Sequence, residues 1–247
     1  MWPPFNVIIL FNIMTAEDLK KQLRLYADLE RGDTLHMFFK TGKGDYGEGD
    51  IFLGITVPNS RKVARKFTGL YLSEIKKLLY SKVHEERLCA LLVLVDKFRV
   101  VDEKGKKEIF DFYIKNAKQV NNWDLVDTSA AKIAGEYLLY KPKDILYKFA
   151  VSKNLWEKRI SIIATAAFIK NKKYKDTLKI AEILIGDTHD LIHKAVGWMV
   201  REVGNKDLET EEKFLKKFYK KMPRTMLRYA TEKFPEEKRL KYLKGNI

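Results

Sequence analysis

Five amphipathic segments begin near His84, Asn122, Leu155, His189 and Pro223, at successive intervals of 38, 33, 34 and 34 residues. No other feature of the chain constrains its fold as tightly. From residue 70 onward, apolar residues recur at three- and four-residue steps, the period of an amphipathic helix. Turn residues punctuate that pattern at Gly105, Asn121-Asn122, Pro142, Asn154, Asp187, Gly204 and Pro223. Each of the five segments therefore reads as the second helix of a pair. A single pair cannot bury its apolar face alone, so neighbours stack into an α-solenoid of the HEAT type, whose second helices line one concave surface. Tetratricopeptide repeats share the length, but their Gly/Tyr/Ala/Pro signature is absent. Pro142 and Pro223 suit the first turn of a helix, and Ser73, Asn122, Asn154 and Asp187 suit N-caps. Only IFLGITV (51–57) reads as extended, and its place before Pro58 predicts a loop or the lead into a helix. The expected fold class is all-α, an α-α superhelix.

Composition narrows the partners. With 46% hydrophobic and 12% aromatic residues the chain is too apolar to be wholly disordered. Its 48 Lys and Arg against 33 Asp and Glu leave a net charge of +15, which suits a polyanion such as nucleic acid or an anionic membrane surface. The single cysteine, Cys89, excludes an internal disulfide and a zinc site built on several cysteines. It lies in the apolar run LCALLVLV and reads as a packed core thiol, and a reducing cytosol is the expected compartment. Residues 1–14, MWPPFNVIILFNIM, differ from everything that follows. Their apolar run falls well short of the roughly 20 residues needed to span a bilayer, and the flanks fit a secretory signal poorly. We read this stretch as an apolar extension or a misassigned start, and residues 15–247 as one repeat domain.

Superposing the second helices puts Arg87, Asp127, Arg159, Lys194 and Arg228 at equivalent positions, within the strings HEERLCAL, WDLVDTSA, WEKRISII, IHKAVGWM and MLRYATEK. Four are cations and one is an acid. Stacked cations on a concave face can neutralise phosphates; equally, these are ordinary ladder positions between repeats, with Asp127 paired to Arg159. Trp123 precedes Asp127 by four residues, about 40° around a helix, so both project from one face. Trp198 follows Lys194 by the same step, whereas Trp156 reads as core. Two aromatic faces beside one carboxylate form a site for a cationic or sugar-like group.

At these residues the sequence resembles the DNA alkylation repair family of AlkD-like alkylpurine DNA glycosylases. The resemblance runs from about residue 33 to 235 and is carried by FFKTGKGDYGEGDIFLGITVP (38–58), NNWDLVDTSA (121–130), LWEKRISI (155–162) and HKAVGWMVREVG (193–204). It implies a concave DNA-binding surface and release of N3- or N7-alkylated purines, without metal or cofactor, by a monomer acting on damaged duplex DNA. By position it implies that Asp127 is the catalytic aspartate, Trp123 and Trp198 the active-site tryptophans and Arg159 the essential arginine. Asn122 departs from relatives that carry a second aromatic there. Phosphate contacts are expected from Arg87, Lys158, Lys194, Arg201 and Arg228. The rival expectations are a catalytically silent binder of damaged or branched DNA, and a scaffold whose groove holds a peptide.

Three weaker signals remain. The stretch KTGKGDYGEGD (40–50) lacks the full Walker spacing, so we expect a flexible basic turn that meets DNA through Lys40, Lys43 and Tyr46. His189 and His193 stand four apart without a third ligand and read as a capping or surface pair. EKFLKKFYKK (212–221) reads as an amphipathic helix with a solvated lysine face.

Overall fold

The computed structural model describes residues 14–247, so the expected N-terminal extension, Met14 apart, lies outside the described residues. Within them the chain runs through helices α1 (Ala16–Arg24), α2 (Leu29–Phe38), α3 (Val57–Lys66), α4 (Leu72–Leu79), α5 (His84–Val100), α6 (Glu103–Lys115), α7 (Trp123–Ala130) and α8 (Glu136–Leu138). It continues through α9 (Asp144–Ala150), α10 (Leu155–Ile163), α11 (Ala166–Lys170), α12 (Lys175–Leu184), α13 (Asp190–Gly204), α14 (Leu208–Phe218), α15 (Arg224–Ala230) and α16 (Glu236–Lys244). The described residues form no strand; a single parallel bridge joins Ile51 to Val83. None of these helices is long and apolar enough to cross a membrane.

The helical period finds the five second helices at α5, α7, α10, α13 and α15, each starting within one residue of its expected position. They pack on one another in chain order, while α4, α9 and α12 pack on α5, α10 and α13 as the first helices of their pairs. The core lies between the two rows. Leu91, Leu94, Leu125, Ile160, Ile192, Val196 and Met226 all come from the second helices and are fully or almost fully buried. Each such side chain removed from water contributes roughly 1.5–3 kcal/mol, which is why the row stays together although no helix in it could persist alone.

Local chemistry sets the ends. Thr15 and Asp18 form a reciprocal capping box on α1, and Asn122 and Asn154 cap α7 and α10 as expected. Other caps fall differently. Ser73 lies inside α4, whose N-cap is Tyr71. His189 caps α13 through Nδ1, while Asp187 sits two residues earlier and accepts from the His189 N–H at 2.8 Å. Pro223 is itself the N-cap of α15, and Pro142 precedes α9 by two residues. Gly105 lies in the first turn of α6, where its N–H is taken by Asp102. Residues 51–56 are a loop that leads into α3, as the place of this stretch before Pro58 implied, and it turns at Gly54 with φ +76°. A Cβ there would sit 1.9 Å from the Asp28 carbonyl oxygen, so no other residue fits.

The inner helix that begins at Trp123 continues past Ala130 through a π-helical turn, Ala131–Gly135, into α8. Such turns often occur at functional sites.

Candidate functional site

The site starts from Asp127, one turn into α7. Its side chain keeps 19% of its surface open, and both oxygens are held by Arg159 from α10. Arg159 Nε donates to Oδ1 at 2.9 Å and Nη2 to Oδ2 at 2.8 Å. The remaining Nη1 donates to the Leu191 carbonyl at 2.6 Å, so one buried guanidinium ties α7, α10 and α13 together. The fork geometry needs a planar cation with several donors, which Arg has and Lys lacks. Burial pushes the Asp127 carboxyl above its ordinary value; Arg159 opposes that rise and the neighbouring Asp124 reinforces it. The Asp127–Arg159 pair weighed at this column is present.

Trp123 is half-buried on the same helix. One ring face stacks on Phe39 with centroids 5.3 Å apart, and Phe38 meets it edge-on at 5.8 Å. The indole therefore offers only one face to a ligand. Phe38, Phe39, Phe52 and Trp123 border an apolar cavity of about 290 Å³ beside α7. Trp198, on α13, is also half-buried, and its indole N–H donates to Glu202 Oε1 at 3.1 Å. Trp156 is core, and Tyr46 leans edge-on against it at 6.1 Å. Burial raises the Tyr46 phenol, while Trp123 and the charge of Lys194 act in the opposite direction. The glycine-rich turn thus reaches from α2 to the ends of α7, α10 and α13. It is closed by the Gly47 N–H on the Lys40 carbonyl and the Gly44 N–H on Glu48, with positive φ at Lys40, Gly44 and Gly49.

The expected cations divide sharply. Arg87 is 2% exposed; it pairs with Asp50 at 2.7 Å and donates to the Ser81 carbonyl, so it is internal. Lys158 pairs with Asp187, Arg201 with Glu202 and Glu232, and Lys194 with Asp190 at 2.7 Å. Arg228, Lys40 and Lys43 are exposed and have no ion-pair partner among the described residues. His189 and His193 are capping groups: His189 Nδ1 accepts from the Leu191 N–H, and His193 Nε2 donates to the Asp187 carbonyl.

Sequence reasoning missed the group that anchors this region. His84, at the start of α5, lies between Asp50 (Nδ1 to Oδ2, 3.2 Å) and Asp124 (Nε2 to Oδ2, 2.8 Å). Arg87 completes the cluster, and Asn122 Nδ2 reaches Asp50 at 3.4 Å. Burial disfavours the imidazolium, but Asp124 and Asp50 outweigh it and raise His84 to about 9. The cluster pins the glycine-rich turn, α5 and α7 to one another beneath Trp123. The available signal was the second acid of WDLVD, Asp124, three residues before Asp127.

A family model described as DNA alkylation repair enzyme matches residues 19–234. Among solved structures, the fold resembles a predicted DNA alkylation repair enzyme from Enterococcus faecalis, with a TM-score of 0.68 at 15% identity over 85% of this chain and 97% of that one. It also resembles AlkD2 from Streptococcus mutans, with a TM-score of 0.53 at 17% identity over 89% of this chain and 96% of that one. At these identities the structures bear on the fold. No curated protein matches the chain.

Proposed function

Because the chain belongs to the DNA alkylation repair enzyme family, we propose that it is a DNA glycosylase that releases cationic alkylated purines, such as 3-methyladenine and 7-methylguanine, from duplex DNA. The observation that carries this reading is the Asp127 carboxylate, oriented by two hydrogen bonds of one buried arginine that a third bond ties to the Leu191 carbonyl, yet still open on one side. Alkylation at N3 or N7 places positive charge on the purine, so the glycosidic bond is weakened and the base leaves with its bonding electrons. What the protein must supply is stabilisation of the positive charge that develops on the sugar, and a water to attack C1′. A preorganised carboxylate does the first and can orient the second. Trp123 and Trp198 pack against the sugar and backbone, and Arg159 acts as a positioning residue that fixes Asp127. Phosphates fall to Arg228, Lys40 and Lys43, since Arg87 is internal and Lys194 is held by Asp190.

The saturated pairing of Asp127 with Arg159 favours one second reading, in which the pair is structural and the protein binds alkylated or branched DNA without excising. Asp127→Asn separates the two. Release of free base from methylated duplex is expected to fall at least about 100-fold, with retention of DNA at low salt little changed. Excision near the wild-type rate would remove Asp127 from the chemistry, and no excision by the wild type would leave the silent binder.

A further inference from the structure

Trp198 is fixed differently from Trp123. Trp123 is wedged by the rings of Phe39 and Phe38, whereas Trp198 is held by its polar edge. The indole N–H donates to Glu202 Oε1 at 3.1 Å. Glu202 lies four residues further along α13, the spacing that brings two side chains together on one helix face. A glutamate on a helix surface ordinarily samples several rotamers. This one is gripped at both oxygens: Arg201 Nη2 donates to Oε1 at 3.0 Å, and Asn205 Nδ2 to Oε2 at 3.1 Å. Arg201 is in turn paired with Glu232, in the chain that follows α15. The C-terminal end of α13 and the segment after α15 are thus joined through one carboxylate. Burial acts against its charge, but the hydrogen bonds of Arg201 and Asn205 outweigh burial and hold the carboxyl below its ordinary value. Glu202 is therefore an anion at neutral pH.

That anion acts on the ring in two ways. An indole can turn about its Cβ–Cγ bond, and a directed hydrogen bond at Nε1 selects one of the two flips. A full negative charge on the N–H also polarises the ring along the hydrogen bond, and a more electron-rich face attracts a cation more strongly. We propose that Glu202 is a positioning residue that acts through Trp198: it fixes the indole and strengthens the attraction of its face for the positive charge that develops on the sugar. The proposal rests on reading Asp127, Trp123 and Trp198 as one glycosylase site.

The test measures that attraction without requiring the chemistry. The probe is a DNA duplex in which one nucleotide is replaced by a pyrrolidine, whose protonated ring nitrogen mimics the cationic sugar. A duplex with the neutral tetrahydrofuran at the same place is the reference. The wild type should bind the pyrrolidine duplex more tightly than the reference. Glu202→Ala should reduce that preference about 5-fold, with affinity for the reference duplex little changed. In a Trp198→Phe background, where no N–H is left to hold, Glu202→Ala should change the preference no further. A general structural role, or direct attraction of the cation by Glu202, would give the same loss in both backgrounds, and that result overturns the proposal. A preference unchanged in Glu202→Ala overturns it too, as does a wild type with no preference. Glu202→Gln keeps the shape and an acceptor without the charge, which guards against an Ala variant that fails to fold; a preference equal to that of the wild type overturns the proposal. Release of free base from methylated duplex is scored separately. A wild type whose preference depends on Glu202 but which releases no base sinks the glycosylase reading alone. One that releases base while the preference ignores Glu202 sinks the positioning role alone.

Discussion

The buried His84 cluster predicts a specific loss of stability on the alkaline side. His84 is raised from an ordinary 6.5 to about 9 because, although burial opposes the charge, Asp124 and Asp50 outweigh it. A histidine whose folded value lies above its unfolded one stabilises the fold fully below the unfolded value. That contribution is lost as pH rises through the folded value. The window here runs from about 6.5 to about 9, and a shift of this size corresponds to roughly 3 kcal/mol. The side chain is buried, so solvent screening does little to reduce the figure. The assay is urea unfolding of the wild type and His84→Gln at pH 6 and pH 10. The variant serves as the reference because lysines and tyrosines elsewhere also titrate at pH 10. The wild type should exceed the variant by roughly 3 kcal/mol more at pH 6 than at pH 10. Equal pH dependence in the two proteins would show that the Asp50–His84–Asp124 geometry carries no net charge coupling. Because Asp124 adjoins Trp123, the same alkaline loss should move the tryptophan emission before global unfolding begins.

Other residues give further predictions. Arg159→Lys keeps the charge but cannot bridge both Asp127 oxygens and the Leu191 carbonyl; unfolding measurements should show a loss of roughly 2 kcal/mol, and wild-type stability would refute the three-helix role of the guanidinium. Excision should fall on the acid side as Asp127 protonates, with the limb displaced above the ordinary aspartate value because burial raises this carboxyl. The linkage sign is opposite to that of a salt-bridged acid with a depressed value: the folded chain binds this proton more tightly, so Asp127 favours folding at low pH, and that contribution disappears as pH rises through its folded value. A pH–rate profile with no limb above the ordinary aspartate range would contradict the assignment. Gly197→Ala would bring a Cβ within 2.4 Å of the Met226 carbonyl oxygen and 2.6 Å of Tyr229 Cβ; separating α13 from α15 should cost about 1–3 kcal/mol by thermal unfolding and displace Trp198.

What the sequence made legible here is what local periodicity governs. The starts of α5, α7, α10, α13 and α15 were readable because apolar spacing and cap residues act within a turn or two. Asp127 stood out because it was the one acid at its position in the repeat. The fate of the four cations at that position was not readable, because it is decided by residues far away in the chain. Arg87 and Arg159 occupy equivalent places, yet Arg87 is consumed by Asp50, 37 positions earlier, and by the Ser81 carbonyl, while Arg159 reaches forward to Leu191 and back to Asp127. Helical spacing fixes which face a side chain leaves from and not what awaits it. The same limit governs the remaining cations. The repeat column follows one position near the beginning of each inner helix, whereas Lys132 and Lys170 lie toward the far ends, Lys132 within the π-helical turn and Lys170 after the break between α10 and α11. A net charge of +15 is therefore informative about a polyanionic partner, but its location follows from which cations lack carboxylates once the helices have packed. If the salt dependence of duplex binding weakens for Lys43→Ala and stays constant for Lys194→Ala, unpaired charge, and not repeat position, is what selects the phosphate contacts.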